Sequence, residues 1–192
     1  MIAILKYNAG NIRSVQNALN RLGYDSIITD DPNKLTRADK VIFPGVGEAK
    51  SAMCYLNKKG LNQVIKKLKQ PVLGICLGLQ LMCTYSEEGD TNCLGIFPNK
   101  VNRFKGNAII PHMGWNNFEQ TKGILFNGVE ASSDVYYVHS YYADVSSNTT
   151  AVCNYIQPFS AAIEKDNFFA TQFHPEKSAD IGSRILNNFL KL

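Results

Sequence analysis

Short apolar runs alternate with amphipathic segments through the first half of the chain. Four of these runs have the length of buried strands and lie at residues 2–5, 26–29, 41–43 and 71–75. Apolar residues between them recur at helical spacing, and the first such helix follows a turn at residues 8–11 that can cap it and stops at Gly23. This alternation predicts an α/β fold with a mostly parallel central sheet flanked by helices on both faces.

The pattern changes in the second half of the chain. Six short β-like runs, separated by Gly, Asn, Pro and Asp, lie at residues 101–104, 115–118, 135–138, 151–155, 160–163 and 168–173. They predict an antiparallel portion without a helix. An amphipathic helix with Ser178 as its expected N-cap closes the chain. We expect a single domain, because 192 residues suit one core.

Cys76 lies where the fourth apolar run meets a helix, with glycines two residues before and two residues after it. Gly74 and Gly78 leave room for a tight turn in which the cysteine takes a positive φ, as in a nucleophile elbow. The N-terminus of the following helix favours negative charge on the sulfur. The alternative is a buried structural cysteine, but a core strand gains nothing from two glycines.

His174 and Glu176 form a second stretch that can carry chemistry. Residues two apart in an extended chain project to the same side, and Pro175 keeps His174 out of the helical region. Glu176 can then orient the imidazole as the base for a cysteine nucleophile. A His-Pro-Glu triplet alone is equally an ordinary turn. Together with Cys76 it predicts a catalytic triad.

Acyl transfer at a cysteine also requires an oxyanion hole. We expect one donor from the backbone N–H of Leu77 and the other from Val46, which lies between Gly45 and Gly47. A plain strand-ending turn is the alternative for residues 44–47. A dinucleotide motif is disfavoured, because Lys50 stands where its third glycine would be. The loops that follow parallel strands meet at one edge of the sheet, which is where ligands bind.

Composition narrows the choice of function. The net charge of +4 is mild and the lysines are spread over helix faces, so nucleic acid is not an expected partner. Five cysteines without a Cys-x-x-Cys motif, and three histidines far apart, predict neither a disulfide framework nor a metal site. The apolar runs are too short for a signal peptide or a membrane span, so we expect a cytoplasmic protein.

Taken together, these motifs resemble those of the class I (triad) glutamine amidotransferases. The matching stretches are residues 44–47, 74–80 and 172–178. Two more stretches, residues 111–116 and 136–141, resemble a branch of that family, the glutaminase subunits of imidazole glycerol phosphate synthase. The resemblance covers nearly the whole chain and implies a flavodoxin-like three-layer fold.

The resemblance implies that glutamine is hydrolysed to glutamate and ammonia through a thioester on Cys76. His174 would act as general base and then as general acid, with Glu176 as its orienting partner. The implied glutamine site consists of Gly45, Gly47, Gln80, Glu88, Ser140 and Tyr141. Glu88 is expected to pair with the substrate ammonium, and no cofactor is implied.

The resemblance also implies a heterodimer with a (β/α)₈-barrel cyclase subunit. That partner would use the ammonia to form imidazole glycerol phosphate and an aminoimidazole carboxamide ribotide in histidine biosynthesis. Asn11, Trp115 and Tyr136 match interface positions of the family, and core packing is the alternative for the two aromatic residues. Because the chain ends at Leu192 without a linker, we expect the cyclase to be a separate chain.

Two positions depart from the family pattern. Lys6-Tyr7-Asn8 replaces the Asp-Tyr-Gly that ends the first strand in most relatives. Many triad amidotransferases have a second glycine where this chain has Val46, so we expect the Val46 N–H to point away from the site at rest. The isolated chain is then nearly inactive until the partner favours the flipped peptide.

Three other functions fit the same residues. One is a paralogous glutaminase that feeds ammonia to a different barrel synthase, although residues 111–116 favour the histidine-type branch. Another is a cysteine amidase or peptidase of the same fold, which would need an open cleft. A non-catalytic homologue is the third, and the complete set of triad residue types argues against it.

Overall fold

A mixed eight-stranded sheet forms the centre of the computed structural model, which describes residues 1–8 and 10–192. The strands are β1 (Ile2–Leu5), β2 (Ser26–Thr29), β3 (Lys40–Phe43), β4 (Val72–Ile75), β5 (Tyr85–Ser86), β6 (Thr91–Asn92), β7 (Lys100–Arg103), β8 (His112–Asn116), β9 (Gln120–Thr121), β10 (Val135–His139), β11 (Tyr141–Ala143), β12 (Thr149–Tyr155), β13 (Gln157–Lys165) and β14 (Phe168–Thr171). The helices are α1 (Ile12–Arg21), α2 (Pro32–Arg37), α3 (Ala49–Lys58), α4 (Leu61–Lys67), α5 (Leu77–Met82) and α6 (Ala179–Leu190), with 3₁₀ turns at Ile124–Phe126 and Pro175–Lys177.

The order of strands in this sheet is β2-β1-β3-β4-β14-β13-β12-β9. The first five strands are parallel to one another, and the remaining three are antiparallel. A four-stranded sheet and the β8–β10 pair complete the β structure of the described residues. The predicted α/β class, with a mostly parallel sheet and an antiparallel second half, is confirmed.

Alternate residues of the parallel strands face opposite layers of helices. In β1, Ile2 and Ile4 join the hydrophobic cluster that contains α1 and α6, while Ala3 and Leu5 join the cluster that contains α2, α3 and α4. β3 divides in the same way, with Ile42 in the first cluster. This period of two places the sheet between two helical layers and turns the carboxyl ends of its strands toward one edge. In the described part of the chain, no helix has both the length and the apolarity needed to cross a membrane.

Two of the helices were not predicted from the sequence. The first, α2, begins at an Asp-Pro step, where the Asp31 carboxylate accepts a hydrogen bond from the Asn33 N–H at 2.8 Å. That cap was visible in the sequence, but six residues give too little apolar periodicity to detect. The second, α3, has no capping side chain at Glu48. The strand predicted at residues 115–118 lies instead at His112–Asn116, in register with β10.

Asn11 and Ser178 occupy the N-cap positions of α1 and α6, as predicted, but neither side chain makes a capping hydrogen bond. Asn11 precedes α1 in a left-handed conformation with φ 70°, and its side chain does not cap the helix. The Ser178 hydroxyl likewise does not cap α6. It accepts a hydrogen bond from the Tyr136 N–H at 2.9 Å and donates one to the His174 carbonyl at 2.6 Å. Ala9, in the turn predicted at residues 8–11, lies outside the described residues.

The predicted glycine packing around Cys76 is confirmed. A side chain at Gly78 would collide with the Phe43 carbonyl oxygen, so α5 can approach β3 only because this residue lacks a Cβ. A side chain at Gly74 would lie 3.0 Å from the Gly78 backbone and from the Met82 sulfur. The two glycines therefore let α5 pack tightly against the strands that carry the loops of the site.

We predict that Gly78→Ala destabilises the protein by about 1–3 kcal/mol, because the added methyl meets a backbone carbonyl that cannot rotate away. Urea unfolding measures the change. The exposed α4 substitution Gln63→Ala is the matched control and should stay within about 0.5 kcal/mol of the parent. Equal stability of Gly78→Ala and the control would contradict the packing described here.

Candidate active site

Cys76 occupies the turn between β4 and α5 at the carboxyl edge of the sheet. Its φ of 52° and ψ of −104° lie in a region that side chains rarely adopt, as the sequence predicted for a nucleophile elbow. The residue is 6% exposed, so the sulfur is sheltered, and it contributes to the wall of a cavity. The strained turn holds the thiol at the one place where the loops of the parallel strands meet.

His174 and Glu176 lie beside this turn with fully buried side chains. The His174 Nδ1 atom is 2.7 Å from the Glu176 Oε1 atom. Burial alone would lower the pKa of His174, but the Cys76 sulfur and the Glu176 carboxylate outweigh burial and raise this pKa above its usual value. These two neighbours therefore favour the protonated form of His174 beside the Cys76 sulfur.

Backbone hydrogen bonds fix the turn that carries this pair. The His174 N–H donates to the Tyr136 carbonyl at 2.9 Å, and Ser178 links the His174 carbonyl to the Tyr136 N–H. A side chain at Gly182 would collide with the Pro175 carbonyl, so α6 packs directly on the turn. The turn is thus held between β10 and the last helix.

Asn11, which the resemblance assigned to an interface, lies against the triad. Its Nδ2 atom donates to Glu176 Oε1 and is 3.5 Å from His174 Nδ1. The residue is half-buried, so a partner could still contact it. Its contacts indicate that Asn11 holds the Glu176 carboxylate in place.

The expected oxyanion donors are not free in this structure. The Leu77 N–H donates to the Gly45 carbonyl at 3.2 Å, and the Val46 carbonyl accepts from the Gly10 N–H at 2.9 Å. In a trans peptide the N–H points opposite to the carbonyl, so the Val46 N–H faces away from Leu77. In this conformation Leu77 and Val46 do not present two donors to the cavity, so their role as an oxyanion hole stays a prediction. The Val46 N–H points away from Leu77, which is the resting orientation that we expected.

Tyr7 braces the same loop from the end of β1. Its hydroxyl donates to the Pro44 carbonyl, and a side chain at Gly45 would collide with that hydroxyl. Burial, followed by the charge of Cys76, raises the pKa of Tyr7 well above its usual value, so the phenol keeps its proton. The loop after β3 is thus held by three hydrogen bonds from outside it, one to each carbonyl of Pro44, Gly45 and Val46.

A cavity of about 260 Å³ opens in front of Cys76. Its wall is formed by Val46, Gly47, Cys76, Leu77, Gln80, Glu88, Pro111, Val138, His139, Ser140 and Tyr141. Five of the six residues expected around glutamine are among them, and Gly45 is the exception. The volume lies below the usual range of about 300–1,000 Å³ for drug-sized ligands and suits a ligand the size of an amino acid.

Glu88 supplies an acidic group to this cavity. Its Oε2 atom accepts a hydrogen bond from the Ala49 N–H at 2.8 Å, which leaves Oε1 for a ligand. Burial raises the pKa of Glu88, the Ala49 N–H lowers it, and Glu48 adds to the rise. A ligand ammonium beside this carboxylate would recover the interaction energy that burial removes.

Gln172 is a buried neighbour of the sulfur that the sequence interpretation did not single out. Its Nε2 atom is 3.6 Å from Cys76 Sγ, and its side chain is inaccessible to solvent. The signal was present, since Gln172 precedes His174 by two residues in an extended segment and projects to the same side. His139, in the cavity wall, was also missed.

Trp115 and Tyr136 lie on the β8–β10 pair, directly opposite each other in register. Trp115 is 56% exposed, so the core-packing alternative is wrong for this residue. Its ring lies edge-on to Tyr136 with centroids 6.0 Å apart, and Met113, two residues before Trp115 on β8, is 63% exposed. We call Met113, Trp115 and Tyr136 the apolar face. Over residues 1–8 and 10–192, no three His, Cys, Asp or Glu side chains are grouped to hold a metal ion.

Full-length curated relatives share this sequence closely. "Imidazole glycerol phosphate synthase subunit HisH" of Bacteroides fragilis strain YCH46 is 58% identical over 194 residues, covering 100% of this chain and 99% of the relative. The protein of the same name from Bacteroides thetaiotaomicron is 56% identical over 194 residues, with the same coverage.

Solved structures share the fold at low identity. A crystal structure described as a glutamine amidotransferase superposes with a TM-score of 0.77 at 18% identity, covering 99% of this chain and 97% of that one. The sequence profile described as "Glutamine amidotransferase class-I" matches residues 4–192. The chain belongs to the class I glutamine amidotransferase family.

Proposed function

We propose that the chain is the glutaminase subunit of an imidazole glycerol phosphate synthase. In this role it hydrolyses L-glutamine to glutamate and ammonia within a single domain spanning residues 1–192. The observation that carries the proposal is the buried His174–Glu176 pair beside Cys76, which lines an amino-acid-sized cavity. The names of the full-length relatives support the choice of synthase.

In the first half of the reaction, the Cys76 thiolate attacks the side-chain amide carbon of glutamine. The carbonyl electrons move to oxygen, and the tetrahedral intermediate collapses when the imidazolium of His174 gives its proton to the departing nitrogen. Ammonia leaves and a thioester remains on Cys76. Glu88 holds the substrate ammonium, and Ser140 and Tyr141 close the other side of the cavity.

In the second half, the now neutral His174 takes a proton from water, which attacks the thioester carbon. The second tetrahedral intermediate expels the Cys76 thiolate and releases glutamate, and the imidazolium is restored. Glu176 keeps the Nδ1 side of the ring in place throughout. The net reaction adds one water and yields one ammonia, so no oxidant or cofactor is required.

The bonded loop at residues 44–47 holds this machinery in a resting state. While the Gly45 carbonyl occupies the Leu77 N–H, an oxyanion formed at the cavity would meet a carbonyl oxygen instead of a donor. Rotation of the Gly45–Val46 peptide would turn the Val46 N–H inward and release Leu77. Losing an oxyanion donor lowers the rate by about 10²- to 10³-fold, which is the scale expected for activation by the partner.

The proposed partner is a (β/α)₈-barrel cyclase, and the apolar face is its proposed docking site. Exposed aromatic and Met side chains are typical of interface centres, and Trp115 lies on β8 where a partner can cover it. Tyr136 belongs to this face and hydrogen-bonds through its backbone to His174 and Ser178. Docking would therefore act directly on the triad turn. The cyclase would use the ammonia to form imidazole glycerol phosphate and AICAR in histidine biosynthesis.

Glutamate release from glutamine tests the proposed function. We expect slow release by the chain alone and strong stimulation by a barrel cyclase with its nucleotide ligand, because the partner opens the oxyanion loop. Cys76→Ala should reduce stimulated release by about 10⁴-fold or more, since the nucleophile is lost. Cys54→Ala, at an exposed cysteine, is the matched control. Equal rates with and without the cyclase would contradict the proposal, as would turnover of peptides by the lone chain.

Glu176→Gln should lower kcat of the stimulated complex by about 10²- to 10⁴-fold, because the imidazole loses its orienting carboxylate. Glu176 contributes to the raised pKa of His174, so removing its charge moves the alkaline limb of the kcat/KM profile to lower pH. The amino group of glutamine titrates identically with both enzymes. Glu130→Gln, on the surface, should leave the profile in place. An unmoved alkaline limb in Glu176→Gln would remove Glu176 from the triad.

Tyr7→Phe should raise the basal glutaminase rate of the isolated chain by about 2- to 10-fold. The substitution removes one hydrogen bond of about 0.5–1.5 kcal/mol that holds the Pro44 carbonyl in the resting loop. Tyr55→Phe removes a hydroxyl that donates to Asp30 away from the site, and should leave the basal rate unchanged. If both variants behave alike, the Tyr7 hydroxyl does not restrain the loop.

A further inference from the structure

The position of Gln172 at the end of a central strand places its side chain beside the Cys76 sulfur. It directly follows β14, and its backbone N–H donates to the Ala161 carbonyl of β13 at 2.8 Å. The backbone is therefore fixed, and the side chain extends under Cys76 with no exposure to solvent. A buried amide must satisfy its hydrogen-bonding groups inside the protein.

The surrounding acceptors determine which end of this amide faces the sulfur. The Tyr141 carbonyl can only accept, and it lies 2.9 Å from Gln80 Nε2 and 2.7 Å from His139 Nδ1. The second N–H of Gln80 then donates to Gln172 Oε1 at 3.1 Å. With its oxygen engaged there, Gln172 presents Nε2 to Cys76 Sγ at 3.6 Å.

We propose that Gln172 is a catalytic residue of the glutaminase, donating an N–H hydrogen bond to the Cys76 sulfur and stabilising the thiolate. Gln80 is the positioning residue that sets the direction of this donor. The inference rests on the proposed function for the meaning of the thiolate, but its geometry does not depend on the identity of the substrate.

The Gln172 amide can stabilise the sulfur at a stage of the reaction at which His174 has lost its proton. His174 gives up its proton when ammonia departs, whereas the Gln172 amide does not exchange its proton with the reacting groups. In the proposed mechanism, the sulfur carries negative charge before it attacks glutamine and again when the thioester is cleaved and the thiolate departs. Gln172 supports both states with a donor of constant charge.

Several titratable groups face Cys76 from the elements packed around it. They are His174 and Glu176 on the triad turn, Tyr7 after β1, Glu88 across the cavity and His139 on β10. Burial lowers the pKa of His139 to about 3 and that of His112 behind it to about 4, so neither gains a proton near neutral pH. All of these groups stay in place when Gln172 is changed.

The test is the pH dependence of alkylation of Cys76 by iodoacetamide, followed by peptide mass spectrometry on the full chain between pH 5.5 and 9. Gln172→Met keeps the length and burial of the side chain but removes the N–H. We expect the profile for Cys76 to move up by about one pH unit, which is about tenfold slower alkylation on its acid side. Exposed Cys54 in the same molecule is the internal reference, and its profile should not change.

A second variant keeps the proposal testable if Gln172→Met does not fold. Gln80→Met leaves Gln172 in place but releases its oxygen, so the profile should move in the same direction by a smaller amount. In the stimulated complex, Gln172→Met should lower kcat more than it changes KM. Superimposable Cys76 profiles for the parent and a folded Gln172→Met variant would overturn the inference. Glutamate release by the parent complex is measured in parallel, so loss of the proposed function is recognised separately.

Discussion

The contact between Gly78 and the Phe43 carbonyl is the constraint on which the site depends. It lets α5 lie so close to β3 that the loop after β3 reaches the turn at Cys76. That proximity allows the hydrogen bond between Gly45 and Leu77, while Tyr7 braces the same loop from the end of β1. A larger residue at this one position would separate the nucleophile from the loop that controls it.

Much of the fold and of the site could be predicted from the sequence, because local patterns determine those parts. Short continuous apolar runs predicted the parallel strands, and paired glycines predicted the turn at Cys76. The rest depends on contacts between distant residues. Ser178 has the chemistry of a helix cap, yet its hydroxyl is used by Tyr136 and His174, and no local pattern reveals that choice. Nor does a glycine-rich loop disclose which way its peptides face.

Groups that can only accept hydrogen bonds fix the orientation of the buried polar side chains in the site. Backbone carbonyls only accept, so the Tyr141 carbonyl fixes the amide of Gln80, which in turn fixes that of Gln172. Glu176 does the same for His174, and its Oε1 atom also accepts a hydrogen bond from the Asn11 amide. Each donor therefore has one favourable direction, and the donors around the Cys76 sulfur are oriented before any ligand arrives.

The resting bond between Gly45 and Leu77 also bears on how long two subunits stay together. If docking favours the peptide orientation that frees Leu77, then an oxyanion that occupies the freed donors must strengthen docking by the same factor, because coupling between two sites is reciprocal. A complex that holds a reacting glutamine would then dissociate more slowly than a complex without substrate. Ammonia would be released while the acceptor subunit is held most firmly, and separation would be easiest after glutamate has left.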